Sequence, residues 1–242
     1  VDLLGQFRVR HGAAELPELD TPRLRALLGR LALNGGRALD RAALAFELWP
    51  DSTEPRARGS LRKLLHSLAR RLPDLGAYVE VSDRSLAWRA DAPAVVDALE
   101  FERLAASRHP ADWQSAAQLY AGPLLPGTFD PWLLDERARL ADLFAGLLAR
   151  LASEQEARGA FAQAAETTER LLREAPFDEG AWLSLMRRYA AAGERARALE
   201  AFDRCRAALE DELGVEAGAE LVALRARLTA APPAPARAEA RE

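Results

Sequence analysis

The sequence predicts a mainly α-helical protein of two domains, with a few short β-strands confined to its N-terminal part. Its 242 residues exceed what one small hydrophobic core usually organises. Apolar and polar residues alternate only within the N-terminal part, up to Trp88, and apolar residues recur at helical spacing after it. Apolar residues make up 49% of the chain and charged residues 29%, which is typical of a globular protein that buries a core.

A short β-hairpin is predicted to open the chain. Phe7 and Val9 alternate with polar residues before a turn at His11 and Gly12, and a second short run ends at Leu16. A period of two residues is the signature of a strand. The chain therefore begins with a small sheet.

Three helices are predicted to follow, over residues 21–34, 40–49 and 55–72. A threonine N-cap followed by proline begins the first helix, and an Asn-Gly-Gly run ends it. An aspartate caps the second helix, and a proline ends it. The third helix begins near a proline and is ended by another.

The third helix carries an apolar face and a basic face. Its apolar stripe consists of Ala57, Leu61, Leu64, Leu65, Leu68 and Leu72. Opposite lie Arg58, Arg62, His66 and Arg70, each four residues from the next. Residues 55–72 contain six Arg or Lys and no Asp or Glu, and like charges at this spacing repel by a few tenths of a kcal/mol per pair. An anionic partner would relieve this repulsion, although a solvated arginine-rich face is the alternative interpretation.

A second hairpin is predicted after the third helix. Val79 and Val81 alternate, a turn follows with Arg84 at its tip, and Leu86 and Trp88 alternate back. Hairpin, three helices and hairpin, with the third helix basic, is the element order of a winged helix-turn-helix domain. We predict this domain over residues 1–92.

The third helix of such a domain has the dimensions to enter the major groove of double-stranded DNA. The predicted base-facing positions are Gly59, Arg62, Lys63 and His66. Glycine at position 59 would let the backbone approach the duplex. The predicted phosphate contacts are Arg56, Arg58, Arg70, Arg84 and Arg89. Residues 1–95 hold 15 Arg or Lys against 12 Asp or Glu, a net charge of +3, whereas the remainder holds 18 against 25, a net charge of -7.

Residues 93–230 are predicted to form an all-α domain of tetratricopeptide-like helix pairs. Gly159 and Gly193 lie 34 residues apart, which is the period of such repeats. Segments 159–191 and 193–228 are predicted as two pairs, and 112–156 as an earlier one. Stacked pairs offer a groove for a partner's helix or for self-association. Residues 231–242 are predicted to be a disordered tail or linker.

Three tryptophans in this half invite two interpretations. Trp113, Trp132 and Trp182 could be hot spots for a partner, but aromatic residues at helical spacing are more often core packing residues.

Enzymatic chemistry is not indicated. Asp135 and Glu136 are sequence neighbours on a helix and do not face each other, so they do not form an acid/base pair. The three histidines are scattered, Cys205 stands alone, and no phosphate-binding loop is present. We therefore predict no catalytic residues, no cofactor and no metal. One cysteine, no signal-peptide pattern and no membrane-spanning run predict a cytoplasmic protein without membrane contact.

Three motifs give the N-terminal half a resemblance to a known family. They are LGQFRV at 4–9, TPRLRALLGRLALNGGRALDRAALAFELWPD at 21–51 and RARGSLRKLLHSLARRL at 56–72. This half resembles the OmpR-type winged helix of the Streptomyces antibiotic regulatory protein (SARP) family.

The C-terminal half is similar to the bacterial transcriptional activation domain that follows the winged helix in that family. The motifs are ALEFERL at 98–104, LYAGPLLPG at 119–127, WLLDERARL at 132–140 and ELGVEAGAEL at 212–221. The resemblance implies a transcriptional activator that binds direct repeats in promoter DNA, recruits RNA polymerase holoenzyme and acts as a homodimer. The alternative is a helical-repeat adaptor or small-molecule sensor with a degenerate winged helix.

Overall fold

The computed structural model describes residues 1–230, and the predicted tail at 231–242 lies outside the described residues. The chain divides into two compact units, the first comprising Val1–Leu143 and the second beginning at Phe144. Within the described residues, no helix is both long and apolar enough to cross a membrane.

The structure is mainly α-helical. Its N-terminal elements are β1 (Arg10–His11), β2 (Ala14–Glu15), a 3-10 turn (Pro17–Leu19), α1 (Pro22–Leu33), β3 (Leu39–Asp40), α2 (Arg41–Leu48), α3 (Glu54–Arg71), α4 (Leu75–Tyr78), β4 (Val79–Val81) and β5 (Ser85–Trp88). The elements that follow are α5 (Asp97–Ala105), α6 (Pro110–Leu119), α7 (Trp132–Ala157), α8 (Phe161–Glu174), α9 (Glu179–Ala191), α10 (Arg195–Leu213) and α11 (Ala219–Ala230). The predicted fold class is confirmed.

Both predicted hairpins are present. Strands β1 and β2 pair antiparallel around the turn at Gly12. Strands β4 and β5 also pair antiparallel, with Val81 opposite Leu86. Strand β3 was not predicted; it pairs with the other side of β5 through Leu39 and gives the sheet order β3-β5-β4. Strand β1 follows the alternating run of Phe7 and Val9, whereas no alternating run surrounds Leu39 and Asp40 of β3.

Helices α1, α2 and α3 bury the apolar stripes that predicted them. The leucines of α1 at positions 24, 27, 28 and 31 are all buried, as are Leu44 and Leu48 of α2. Helix α3 buries Leu61, Leu65 and Leu68, whereas Leu64 is half-buried at the edge of the stripe. The apolar face of α3 is thereby held against the core, and its basic face is turned away from it.

Helix α2 has the predicted cap. The carboxylate of Asp40 accepts hydrogen bonds from the main-chain N–H groups of Ala42 at 2.8 Å and Ala43 at 2.9 Å. Those N–H groups have no partner within the helix, so the cap stabilises its first turn by about 1 kcal/mol. Thr21 stands at the predicted cap of α1, but its side chain makes no capping hydrogen bond.

The first residues of the chain pair with the segment between α6 and α7. Leu4 and Leu124 form an isolated antiparallel bridge, and the Leu125 N–H donates to the Leu3 carbonyl at 2.7 Å. The Gly5 N–H donates to the Pro123 carbonyl at 3.0 Å. Residues 97–143 thus share one compact unit with the winged helix. A domain boundary at residue 92 stays a prediction.

The second unit is built from stacked helices. Helix α8 packs against α9, and α9 packs in turn against α10 and α11. Gly159 and Gly193 adopt φ angles of +76° and +83° just after the ends of α7 and α9, a conformation that favours glycine. The 34-residue spacing therefore marks the same structural position in successive repeats, as the tetratricopeptide-like interpretation predicts.

The tryptophans of the helical part pack within their own units. Trp182 is buried, and its indole N–H donates to the Pro176 carbonyl at 2.8 Å. The Trp113 indole donates to the Ser107 carbonyl at 2.8 Å. The Trp132 ring lies 5.4 Å from the guanidinium carbon of Arg30. Trp182 is a core residue, whereas Trp113 and Trp132 are half-buried.

Candidate nucleic-acid interface

The exposed face of α3 is basic along its length. Arg62, Lys63 and His66 are all exposed, and they lie on the opposite side of the helix from the buried leucines. Arg56 and Arg70, at the two ends of the helix, are also exposed. The anchored apolar stripe fixes the direction of these cationic side chains, although they themselves remain in water.

A cleft of about 570 Å³ lies between α3, the start of α2 and the β4-β5 turn. Its lining residues are Asp40, Arg41, Ala42, Arg58, Leu61, Arg62, Asp83 and Arg84. Three predicted site residues, Arg58, Arg62 and Arg84, therefore meet around one concavity. Four arginines face two aspartates there, and the carboxylate of Asp40 is already engaged in capping α2.

The turn between β4 and β5, which forms the wing, is fixed by hydrogen bonds. The Ser82 hydroxyl accepts the Ser85 N–H at 2.9 Å and the Arg84 N–H at 3.3 Å. The wing is also tied to α2, because the Arg41 N–H donates to the Arg84 carbonyl at 2.9 Å and the Arg41 guanidinium donates to the Ser82 carbonyl at 2.7 Å. Arg84 is consequently held at the edge of the cleft.

Arg41 is a candidate site residue that was not predicted from the sequence. It follows the cap residue Asp40 directly, and its guanidinium both supports the wing and lines the cleft. The available signal was a basic residue at the first position of a helix, where the macrodipole disfavours a positive charge. A cation at such a position indicates that another interaction offsets the unfavourable effect of the helix dipole.

Arg58 has an intramolecular partner that residues 55–72 alone do not reveal. Helix α3 begins at Glu54. The carboxylate of Glu54 lies 2.8 Å from the guanidinium of Arg58, which is one helical turn further along. Both side chains are more than half exposed, and ion pairs of this kind contribute only about 0–1 kcal/mol. An incoming phosphate group can therefore compete with Glu54 for Arg58.

Arg89 lies apart from the cleft. It follows β5, its N–H donates to the Tyr78 carbonyl at 2.8 Å, and its guanidinium donates to the Asp91 carboxylate at 3.1 Å. That hydrogen bond and the positive charge of Arg89 hold the pKa of Asp91 below its ordinary value. Of the five predicted phosphate contacts, only Arg58 and Arg84 line the cleft. The other three, Arg56, Arg70 and Arg89, lie outside it.

The fold does not require a glycine at position 59. A Cβ atom added to Gly59 would meet nothing within 4 Å, and the residue adopts an ordinary helical conformation. The position is half-buried beside the exposed basic residues of α3. Any constraint on its size comes from outside the chain.

Among the described residues, no three His, Cys, Asp or Glu side chains are grouped so that they could hold a metal ion. Cys205 is fully buried, and burial raises the pKa of its thiol to about 11. A protonated thiol in the core is a poor nucleophile and a poor metal ligand.

The helical part matches a known family model. Residues 95–229 match the bacterial transcriptional activator domain. The chain belongs to this family. Regulators are similar to the chain over most of its length, so the similarity is not confined to residues 95–229.

Three relatives of the bacterial transcriptional activator domain family illustrate the similarity. EmbR of Mycobacterium tuberculosis is 26% identical over 99% of this chain and 65% of its own length. AfsR of Streptomyces coelicolor is 29% identical over 88% of this chain and 22% of its own length. MoaR1 of Mycobacterium tuberculosis is 27% identical over 92% of this chain and 76% of its own length. EmbR and MoaR1 are named as transcriptional regulatory proteins and AfsR as a regulatory protein, which confirms the resemblance to SARP-type regulators.

A solved structure supports the fold. The structure of Mycobacterium tuberculosis EmbR in complex with a low-affinity phosphopeptide superposes with a TM-score of 0.70 at 23% identity. The match covers 94% of this chain and 64% of that of EmbR. The order of a winged helix followed by a helical-repeat domain is therefore shared, and the chain spans about 65% of the length of EmbR.

Proposed function

We propose that this bacterial transcriptional regulator binds double-stranded DNA sequence-specifically through α3 and activates transcription through its helical domain. The observation that carries the proposal is the anchored helix α3, whose exposed face is basic and whose side chains share a cleft with the wing. A helix with side chains is about 10–12 Å across, which matches the width of the major groove.

The side chains divide into two roles. Arg62, Lys63 and His66, together with the backbone at Gly59, face the base edges, where arginine donates in bidentate fashion to guanine. The arginines at positions 56, 58, 70 and 84 neutralise phosphates, and Arg41 joins them from the start of α2. Arg89 contributes a phosphate contact only if it leaves Asp91.

The helical domain supplies the protein contacts in this proposal. Two copies bind direct repeats side by side in the promoter, and the domain contacts RNA polymerase holoenzyme. The resemblance to the family and the stacked helix pairs support this arrangement. A protein that binds promoter DNA in this way works in the cytoplasm, where the bacterial chromosome lies.

The test is selection from a pool of randomised DNA duplexes at low and moderate salt, with Arg62→Ala/Lys63→Ala beside the wild type. We expect an enriched motif containing a direct repeat, and we expect the double variant to lose it. Arg173→Ala/Arg227→Ala removes two positive charges from exposed positions of α8 and α11 in the second unit, and it serves as the matched control. The control should select the same motif as the wild type.

The salt dependence separates the two roles of the basic side chains. Each lost phosphate contact lowers the slope of log K against log salt by about 1, whereas a lost base contact removes sequence preference. Wild-type binding that salt abolishes equally for every sequence would overturn the proposal. That outcome would favour the alternative of an adaptor or small-molecule sensor whose winged helix is degenerate.

A further inference from the structure

The end of α10 and the start of α11 carry an unusual concentration of negative charge. Between Ala207 and Leu224 the chain holds five Asp or Glu residues and no Lys or Arg. Glu210 pairs with Arg206 at 3.4 Å, and Glu220 lies 4.0 Å from Arg187. Within residues 1–230, no ion pair neutralises the other three carboxylates, which are those of Asp211, Glu212 and Glu216.

Large apolar side chains are exposed among these carboxylates. Every residue from 210 to 216 is exposed, and the exposed fractions are 52% for Leu213, 47% for Val215 and 49% for Val222. We call residues 210–216 the acidic-apolar surface. Single exposed apolar residues are ordinary, but Leu213 and Val215 lie two residues apart among carboxylates, where a partner can cover both at once.

The backbone of this surface is held in place. Gly214 ends α10 with a φ of +65°, and its N–H donates to the Glu210 carbonyl at 3.1 Å. The Val215 N–H donates to the Leu209 carbonyl at 3.3 Å, and the Gly218 N–H donates to the Glu179 carboxylate at 2.6 Å. A segment fixed in this way loses little conformational entropy when a partner docks.

The charge of the surface selects the kind of partner. DNA is excluded, because phosphates and carboxylates repel each other. A symmetric contact between two copies would place the same carboxylates opposite one another, which costs free energy. Partner surfaces that present apolar side chains inside a rim of lysine and arginine are complementary both in polarity and in charge.

We infer that the acidic-apolar surface is the docking site through which the helical domain contacts a basic, apolar protein surface on RNA polymerase. The inference rests on the proposed function, which assigns this contact to the helical domain. Leu213 and Val215 supply the buried centre, and the carboxylates around them supply the rim that orients the partner and accelerates its approach.

Two pairs of variants test the inference. Leu213→Ser/Val215→Ser removes the apolar centre, and Phe177→Ser removes a 42% exposed apolar side chain elsewhere in the second unit as its control. Asp211→Lys/Glu212→Lys reverses the rim charge, and Glu200→Lys/Asp203→Lys makes the same charge change at exposed positions of α10. Circular dichroism melts verify that each variant is folded.

The first measurement is direct binding of purified RNA polymerase holoenzyme to the immobilised protein without DNA. We expect both surface variants to lose about tenfold or more in affinity, as expected for hot-spot residues, and both controls to bind like the wild type. Wild-type binding that the surface variants retain, or no wild-type binding at all, would overturn the inference.

The second measurement is transcription from the selected DNA motif, with DNA affinity measured in parallel. Surface variants that bind DNA like the wild type but no longer activate support the inference. Surface variants that activate like the wild type overturn it and leave the DNA-binding proposal intact. Failure of the wild type to bind any DNA motif overturns the proposed function, and the direct binding assay then still decides the inference.

Discussion

The carboxylate of Asp97 accepts the main-chain N–H of Leu3 at 2.7 Å, although the two residues are 94 positions apart in the chain. It also accepts the N–H of Leu4 at 2.9 Å and that of Ala98 at 2.7 Å. One side chain, at the first position of α5, therefore holds the start of the chain. Three N–H donors favour the charged form, but burial has the larger effect and raises the pKa of Asp97.

Replacing Asp97 by alanine should destabilise the first unit. The substitution leaves the partly buried N–H groups of Leu3 and Leu4 without their acceptor, and an unpaired buried donor costs about 1–3 kcal/mol. Urea unfolding followed by tryptophan fluorescence measures the loss. Asp135→Ala, at an exposed position of α7, is the control and should change the free energy of unfolding by less than about 0.5 kcal/mol. Equal effects of the two substitutions would contradict the prediction.

The same carboxyl group predicts a pH dependence. Because burial raises the pKa of Asp97 above its ordinary 3.8, the folded chain holds this proton more tightly than the unfolded chain does. Its contribution to stability is therefore complete below about pH 4 and is lost as the pH rises through the folded pKa. The difference in unfolding free energy between wild type and Asp97→Asn should favour the wild type most at low pH. A difference that is constant with pH, or that grows as the pH rises, would contradict this assignment.

A second long-range contact explains why α1 contains a glycine. The side chain of Leu125 is fully buried and occupies the space into which a Cβ on Gly29 would project. Alanine at position 29 should therefore destabilise the protein by about 1–3 kcal/mol through overpacking. Gly146→Ala is the control, because its Cβ would meet nothing within 4 Å and alanine favours a helix by about 0.5–1 kcal/mol. The cost at position 29 should shrink in a Leu125→Ala background, and thermal melts of the four proteins measure this coupling.

These contacts mark the limit of what the sequence could predict about the fold. The amphipathic stripes of α1 and α3 predicted both helices, because burial of one face imposes a period that can be read locally. The Leu4-Leu124 bridge and the Gly29-Leu125 contact join residues that are 120 and 96 positions apart in the chain. No local pattern encodes such a pairing, so the association of the winged helix with residues 97–143 emerged only from the structure.

The candidate DNA interface, too, could be predicted from the sequence only in part. The exposed basic face of α3 follows from the positions of its leucines, and the structure keeps Arg62 and Lys63 on it. The cleft could not be foreseen, because it forms where the wing turns back onto α2 and Arg41 binds the Ser82 carbonyl. The pairing of Arg89 with Asp91 likewise depends on how the chain turns after β5.

Cys205 should resist modification while the protein is folded. Its side chain is fully buried within the second unit, and burial raises the pKa of the thiol to about 11. Only the thiolate reacts with disulfide reagents, so the fraction available at neutral pH is negligible. Labelling with a coloured disulfide reagent should be slow in buffer and complete within minutes in concentrated urea. Fast labelling of the folded protein would contradict the burial of this residue.

The glycine in α3 offers a test that separates DNA contact from folding. Because a Cβ at position 59 would meet nothing in the protein, Gly59→Ala should raise the free energy of unfolding by about 0.5–1 kcal/mol. If the backbone at this position approaches the duplex, the added methyl group collides with it, and affinity for the selected motif should fall by about tenfold, equivalent to about 1.4 kcal/mol. Urea unfolding and a DNA titration of the same preparation measure the two effects, with Gly146→Ala as the control for a helical glycine in the second unit. A stabilised Gly59→Ala variant that binds the motif as tightly as the wild type would show that α3 does not bring this backbone position against the DNA.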